Sequence, residues 1–331
     1  VTTPRDVVRR ILAGRGGQAG EWGAAYAPAN IALVKYWGKR DEVLNLPVTG
    51  SLSISLGPLG SHVEVGYSDG PTDEIWLNGA PMPLTSSFAR RASAYLDWFR
   101  PAAGVCFALK ARNTVPTAAG FASSASGFAA LAKALDDWFG WELAPRELSI
   151  LARLGSGSAA RSLADGFVEW QAGVDPDGMD SYAERLEADW PELRVGALVL
   201  SAAEKPVGSR EGMKRSVETC EFYREWPGRV EKDLAALKAA IGENDMAALG
   251  AVAEANALAM HALMMATRPP IVYALPETVA AMRAIWAARE AGLPLWFTMD
   301  AGPNVKLLFE AKDEARVREV FPAMQTVAPF G

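Results

Sequence analysis

Pro116-Thr117-Ala118-Ala119-Gly120-Phe121-Ala122-Ser123-Ser124-Ala125-Ser126-Gly127 runs directly into the apolar segment Phe128, Ala129, Leu131, Ala132, Leu135. With almost no side-chain bulk, the loop lets its backbone approach an anion closely. A helix starting near Ser124 would aim free N–H groups and the positive end of its dipole at that anion. The hydroxyls of Ser123, Ser124 and Ser126 could reach phosphate oxygens or a metal ion. Ala, Gly and Ser also serve close packing and helix capping, so composition alone leaves a phosphate loop and a packed helix start as alternatives.

The chain around this loop has 331 residues, half of them hydrophobic and 22% charged, enough for two domains or one domain with a cleft. No uninterrupted apolar run approaches the roughly 20 residues that span a bilayer. The N-terminal Val7, Val8, Ile11, Leu12 pattern is broken by Arg5, Asp6, Arg9 and Arg10, unlike a secretory signal. The expectation is a cytoplasmic protein with no membrane partner. Cys106 and Cys220, far apart, indicate neither a disulfide framework nor a thiolate metal cluster and are expected to be buried thiols. A net charge of −6 with interspersed signs gives no general attraction for nucleic acid. With only His62 and His261, a His-based metal site or a Ser-His-Asp triad is hard to assemble. Ordinary structural roles are expected for both, in a strand and a long helix. Acid–base chemistry then falls to Asp, Glu, Lys or Arg.

Before the loop, the first dozen residues read as an amphipathic helix. Gly14-Arg15-Gly16-Gly17-Gln18-Ala19-Gly20 superficially fits a dinucleotide fingerprint, but a helix precedes it where a strand is required, so it is expected to be a flexible connector. Strands are predicted near Trp22–Ala27, Ser51–Leu56, His62–Tyr67, Glu74–Leu77 and Val105–Ala111. Helices are predicted from Ser86, near 125–139 and near 145–154, and a strand near Gly166–Trp170 ends the first half. Val195–Ser201 begins the second. Arg210–Leu263 reads as mostly helical with a break at Pro227-Gly228, and Met246, Leu249, Val252, Ala253, Asn256 and Met260 lie along one side of its last segment. A helix over Pro276–Ala291 and strands Leu295–Met299 and Val305–Phe309 follow, the strands flanking the turn Asp300-Ala301-Gly302-Pro303-Asn304.

Four further stretches look like sites held on short turns. In Asn30-Ile31-Ala32-Leu33-Val34-Lys35-Tyr36-Trp37-Gly38-Lys39-Arg40-Asp41, Lys35 need not share a strand face with Tyr36, and Lys39 and Arg40 fall past Gly38 in an expected loop. These cations could neutralise phosphate and carboxylate charge, or form a solvated turn. Gly155-Ser156-Gly157-Ser158-Ala159-Ala160-Arg161-Ser162 brings hydroxyls and a guanidinium together. Arg161 suits bidentate grip of a carboxylate, with a structural salt bridge as the alternative. Gly208-Ser209-Arg210-Glu211-Gly212-Met213 could supply a second anion-binding helix start. In Thr298-Met299-Asp300-Ala301-Gly302-Pro303-Asn304, Asp300 either meets a substrate hydroxyl or simply makes the turn.

Taken together, these stretches resemble the GHMP family of small-molecule kinases and, within it, the diphosphomevalonate decarboxylase branch. The match runs from Ala27-Pro28-Ala29-Asn30 to Gly302-Pro303-Asn304-Val305-Lys306. Gly155–Ser162, Phe167-Val168-Glu169-Trp170 and Ala255-Asn256-Ala257-Leu258-Ala259-Met260-His261-Ala262 look specific to that branch. The resemblance implies an α/β (α+β), GHMP-kinase-like two-lobed fold with a deep central cleft and a homodimer. Residues 1–20 would be an N-terminal extension, 21–192 the ATP-binding lobe and 193–331 the C-terminal lobe. It implies ATP-dependent decarboxylation of mevalonate 5-diphosphate to isopentenyl diphosphate, with the 3-hydroxyl phosphorylated first and phosphate and CO₂ lost afterwards. Asp300, Lys35, Arg161 and Asn30 match catalytic positions, and Tyr36, Lys39, Ser156, Ser158, Ser209 and Arg210 match substrate-binding ones. ATP would be held by Asn113, Pro116, Ala119, Gly120, Ser123, Ser124 and Ser126, with Mg²⁺ carried mainly by ATP and touched by Ser124. Within the same fold, a mevalonate 5-phosphate decarboxylase or a mevalonate 3-kinase is the alternative, and a non-catalytic ligand-sensing module the remoter one. The sequence departs from the family pattern at Asp165, at Gln171 and in Val48-Thr49-Gly50-Ser51, the last in a region expected to line the cleft.

Overall fold

A computed structural model describes residues 2–17, 19–114, 123–203 and 205–330. The chain enters through α1 (Pro4–Ile11), where the Thr3 hydroxyl accepts the Asp6 N–H at 3.3 Å and the Asp6 carboxylate accepts the Thr3 N–H at 2.9 Å. Val7, Val8 and Ile11 are buried in the same core as Tyr95, Trp138 and Leu151. α1 thus packs into the first half's core, and the stretch expected to be a flexible connector is anchored at Arg15 and Gly20. Arg15 donates to both Glu147 carboxylate oxygens at 2.8 Å and to the Trp141 carbonyl at 2.8 Å. Gly20 accepts the Trp138 indole N–H at 2.8 Å.

The first half then runs through β1 (Trp22–Val34), β2 (Lys39–Asp41), β3 (Leu46–Pro47), β4 (Ser51–Ser68), β5 (Glu74–Leu77), β6 (Ala80–Pro81), α2 (Ser87–Leu96), β7 (Cys106–Asn113), α3 (Ser123–Phe139) and α4 (Pro145–Gly155). A 3₁₀ turn (Gly157–Arg161), β8 (Phe167–Trp170) and β9 (Ala183–Arg185) follow. Among the described residues seven of these strands form one sheet in the order β6-β5-β7-β4-β8-β9, with β1 antiparallel to β4, and β2 and β3 pair as a separate two-stranded sheet. The two strands predicted around Gly57–Gly60 are one, because β1 pairs with both halves of β4; the extra residues 56–59 bulge from β4 opposite Pro28/Asn30, and a second register shift falls at Ala32/Val34. β1 likewise runs on past Ala27 to Val34, which delivers Asn30 and Lys35 to one end of the sheet. Lys39 and Arg40 lie in the short strand β2 rather than a loop. Cys220 is buried, whereas Cys106 is only partly so.

The second half contains β10 (Leu193–Leu198), α5 (Ser209–Thr219), a 3₁₀ turn (Glu221–Glu225), α6 (Trp226–Glu243), α7 (Met246–Met265), α8 (Pro276–Glu290), β11 (Trp296–Met299), β12 (Val305–Glu310), α9 (Glu314–Val320) and β13 (Gln325–Val327). Its sheet is antiparallel in the order β11-β12-β10-β13. Pro227 does not break a helix. It opens α6, where the missing N–H costs nothing, and the interruption falls at Cys220.

α7 has 20 residues and a mean hydropathy of 1.3, long and apolar enough for a bilayer by composition, yet more than half of it is buried in protein. At Gly250 a Cβ would lie 2.2 Å from Trp296 Cγ, so the absent side chain lets the helix press onto β11. Ile31, Leu33 and Ile54 share a core with Val195, Leu249, Met260 and Leu308. The two halves are thus joined by a common apolar core.

Candidate active site

Asn30, Lys35, Tyr36, Lys39, Ser124, Ser156, Ser158, Arg161, Ser209, Arg210 and Asp300, separated by up to 270 positions in the chain, line one cavity of about 410 Å³. The end of β1 supplies Asn30 and Lys35, the α4–3₁₀ corner supplies Ser156, Ser158 and Arg161, the start of α5 supplies Ser209 and Arg210, and the turn after β11 supplies Asp300. The loop between β1 and β2 is pinned at Gly38. Its φ is +110°, its Cβ would fall 1.7 Å from the Tyr223 hydroxyl oxygen, and that hydroxyl donates to the Trp37 carbonyl at 2.9 Å.

Lys35 and Asp300 form the centre. Lys35 Nζ donates to Asp300 Oδ1 at 2.9 Å and to the Ala32 carbonyl at 2.7 Å, with only 2% of the lysine exposed. Lys306 Nζ stands 3.9 Å from Asp300 Oδ2. Burial alone would raise the Asp300 carboxyl, but the Lys35 and Lys306 ammoniums hold it well below the usual carboxylate range. Burial pulls Lys35 down to about 8, with Asp300 opposing. Asp300 is therefore ionised and Lys35 cationic at neutral pH.

Arg161 makes no salt bridge among the described residues, unlike the structural alternative weighed for it. Its guanidinium is 2% exposed and, among the described residues, has no carboxylate within 4 Å. Nη1 donates to Ser51 Oγ, Nη2 reaches Asn30 Oδ1 at 3.5 Å, and Nε is buried without a partner. Asn30 is held in turn by the Ser162 hydroxyl at 2.7 Å. Burial lowers Arg161 to about 10, so it remains charged. An unpaired buried cation is costly unless an anion arrives to meet it. The Val48–Ser51 stretch lies behind the cleft at this point, with Ser51 as its contact.

Lys39 Nζ donates to Asn45 Oδ1 at 2.8 Å and to Glu42 Oε2 at 3.1 Å. Lys205, which sequence reasoning missed, donates to the Ala301 carbonyl at 2.7 Å and to the Ser209 hydroxyl at 2.9 Å. Arg91 on α2 was missed too. It lines the main cavity and an adjoining, mostly apolar one of about 290 Å³ that also contains Ser124 and Asn113. A lone Arg on an otherwise ordinary amphipathic helix carried no signal of this. Lys35, Lys39, Arg91, Arg161 and Arg210 outnumber Asp300 as charged groups lining the main cavity, in a chain of net charge −6. The cavity is built for anions.

Part of the small-residue loop falls outside the described residues. Pro116, Ala119 and Gly120 lie outside the described residues, as does the side chain of Ser123. Ser124 sits in the first turn of α3 where both cavities meet. Ser126 departs from expectation. It is fully buried, lines neither cavity, and its hydroxyl meets Ser61 Oγ at 2.8 Å. Asn113 accepts from the same Ser61 hydroxyl at 2.8 Å. His62 is exposed on β4, while His261 is at the site, its Nε2 3.0 Å from the Asp300 carbonyl. Among the described residues no group of three or more His, Cys, Asp or Glu could hold a metal.

Residues 27–183 match the model of the diphosphomevalonate decarboxylase-like N-terminal domain, and residues 195–329 that of the mevalonate 5-diphosphate decarboxylase C-terminal domain. A diphosphomevalonate decarboxylase of Aspergillus fumigatus is 38% identical over 321 residues, covering 90% of this chain and 79% of that protein. The crystal structure of mevalonate diphosphate decarboxylase from Staphylococcus aureus superimposes with a TM-score of 0.86 at 38% identity, covering 93% of this chain and 95% of that one. A structure described as MDDEF in complex with MVAPP, AMPPCP and magnesium gives a TM-score of 0.86 at 38% identity, covering 93% and 97%.

Proposed function

The chain belongs to the diphosphomevalonate decarboxylase family, and we infer from that premise that it converts mevalonate 5-diphosphate to isopentenyl diphosphate at the expense of ATP. The observation that carries this reading is Arg161, a buried guanidinium without a carboxylate partner in the same cavity as Asp300. Asp300 suits the phosphoryl transfer that a kinase shares, and Arg161 suits the acid whose carboxylate a decarboxylase must orient for cleavage.

Asp300 accepts a hydrogen bond from the substrate's 3-hydroxyl and aims its oxygen at the γ-phosphorus of ATP. Held so acidic by Lys35 and Lys306, it is a weak base early on, and takes the proton late, as the new P–O bond makes the hydroxyl acidic. Lys35 neutralises charge on the transferred group. ADP leaves. The C3–O bond then breaks with its electron pair going to phosphate, C3 becomes carbocation-like, and the electrons of the C–CO₂ bond form the alkene as CO₂ departs. Arg161, steadied by Ser51 and Asn30, orients the carboxylate for that cleavage without a second fixed charge that would overstabilise it.

Lys39, Arg91, Arg210 and the Ser156–Ser158 corner suit the 5-diphosphate. The adjoining apolar cavity at Asn113 and Ser124 suits the nucleotide base, consistent with AMPPCP in the related complex. Mg²⁺ would supply charge neutralisation on the nucleotide phosphates, with Ser124 as the protein oxygen nearest that role. A cytoplasmic location, which rests on the broken N-terminal apolar pattern, division at 192/193 and a homodimer belong to the same proposal, the last two resting on the family resemblance. Sedimentation equilibrium checks the last.

The test is substrate choice. Turnover of mevalonate, its 5-phosphate and its 5-diphosphate with ATP and Mg²⁺ is expected to favour the diphosphate by at least about 100-fold in kcat/KM, as loss of one charged phosphate from a basic pocket should cost about 3 kcal/mol. Equal efficiency with the monophosphate would overturn the assignment of the diphosphate.

A further inference from the structure

α7 is almost wholly apolar. Its sequence from Met246 to Met265 carries three polar side chains, Glu254, Asn256 and His261, and each has a committed partner. Glu254 accepts from Trp286 and Arg289 on α8. The other two end on the backbones of the two residues at the reaction centre.

Asn256 is fully buried, and its Oδ1 accepts the Lys35 N–H at 2.8 Å. That N–H lies one residue past the end of β1 at Val34, where strand pairing no longer provides a partner. The amide cannot be turned around, because Asn256 Nδ2 donates at 2.8 Å to Asp233 Oδ2 on α6, and a carboxylate only accepts. Arg229 holds Asp233 from the same helix at 3.3 Å. His261 Nε2 meets the Asp300 carbonyl at 3.0 Å. Carbonyl oxygen only accepts, so the proton is on Nε2. β1 and β11 meet side by side here, Thr298 Oγ1 donating at 3.4 Å to the Ala32 carbonyl, but that contact holds neither the Lys35 N–H nor the Asp300 carbonyl. One rigid helix touches both.

We propose that Asn256 and His261 are positioning residues through which α7 sets the spacing of the Lys35–Asp300 pair, Asn256 by way of the Lys35 N–H and His261 by way of the Asp300 carbonyl. The inference rests on the catalytic roles given above to Lys35 and Asp300. Neither positioning residue lines the substrate cavity, so losing one displaces the reaction centre and leaves substrate binding in place. A merely structural pair would instead lower melting temperature and leave turnover per folded molecule unchanged.

The experiment compares wild type with His261→Leu, His261→Gln, Asn256→Leu and Asn256→Ser for kcat, both KM values and melting temperature. The two Leu variants and Asn256→Ser, whose hydroxyl is too short to reach Lys35, are expected to lose about 10- to 100-fold in kcat, the size of effect a displacement near 1 Å produces. Both KM values are expected within about threefold of wild type. His261→Gln, which keeps an N–H for the same carbonyl, is expected to restore most of the rate. If a Leu variant does not fold, Asn256→Ser and His261→Gln decide the matter by the same criteria. Wild-type kcat in Asn256→Ser, or equal kcat in the folded Gln and Leu variants, overturns the proposal while leaving the function intact. Absence of CO₂ release by wild type itself overturns both.

Discussion

At the residue scale, three side chains divide the chemistry. Asp300→Asn keeps the shape but loses the anion that orients the 3-hydroxyl, so ADP formation should fall by roughly 10²- to 10⁴-fold with nucleotide affinity little changed. Near-normal ADP release in that variant would remove Asp300 from its role. Arg161→Gln should lower kcat for CO₂ release severely. Unaltered turnover would show that the buried guanidinium serves packing alone. Lys35 gives the pH dependence. Its active form is the cation and its free-enzyme pKa is lowered to about 8, so kcat/KM should be flat near neutrality and fall as pH rises through about 8. Asp300, held below the usual range, and His261, pulled to about 4 chiefly by burial, should place no descending limb between pH 5 and 7. An alkaline limb absent up to pH 10 would contradict the account of Lys35. The stretches carrying Asp300, Arg161 and Lys35 stood out in the sequence because each sits on a distinctive turn or strand end, while the roles given to them came from the family resemblance. Arg91, Lys205 and Lys306 did not stand out, since a basic residue on an ordinary helix, loop or strand looks the same whether it faces water or a cleft. His261 lies in the long helix expected for it, and its partner, a backbone carbonyl 39 positions away, left no mark in the local sequence.

Among elements, α7 and the β1–β2 loop do the positioning. Gly250 allows the helix to lie against Trp296, so Gly250→Leu should cost about 1–3 kcal/mol of stability by overpacking and lower the denaturation midpoint. An unchanged midpoint would mean that the two elements are not closely packed in solution. Helix positions were readable from apolar spacing, with Pro145 and Pro276 marking starts. Strand continuity was less so. Gly57-Pro58-Leu59-Gly60 reads as a turn, yet β4 passes through it because β1 lies alongside both halves, pairing Pro28 with Gly60 and Asn30 with Ser55 and leaving the residues between without a partner on β1. Pro227 misled in the same local way, since a proline at a helix start and one at a break look alike without the preceding Cys220 turn.

For the whole molecule, the contrast between a net charge of −6 and a cavity ringed by cations means that substrate capture is local. Raising ionic strength should therefore raise KM for the diphosphate substrate while leaving kcat nearly constant, because the buried pair at the centre is screened far less than the cavity mouth. The shared core of Ile31, Leu33, Met260 and Leu308 couples the two halves, so Lys35 from one and Asp300 from the other meet in a single folded unit. The central claim is that one site phosphorylates the acid and then decarboxylates it. Simultaneous measurement of ADP and CO₂ from mevalonate 5-diphosphate tests this most directly: the account predicts that they appear in equal amounts throughout the reaction, whereas ADP accumulating without CO₂ would contradict it.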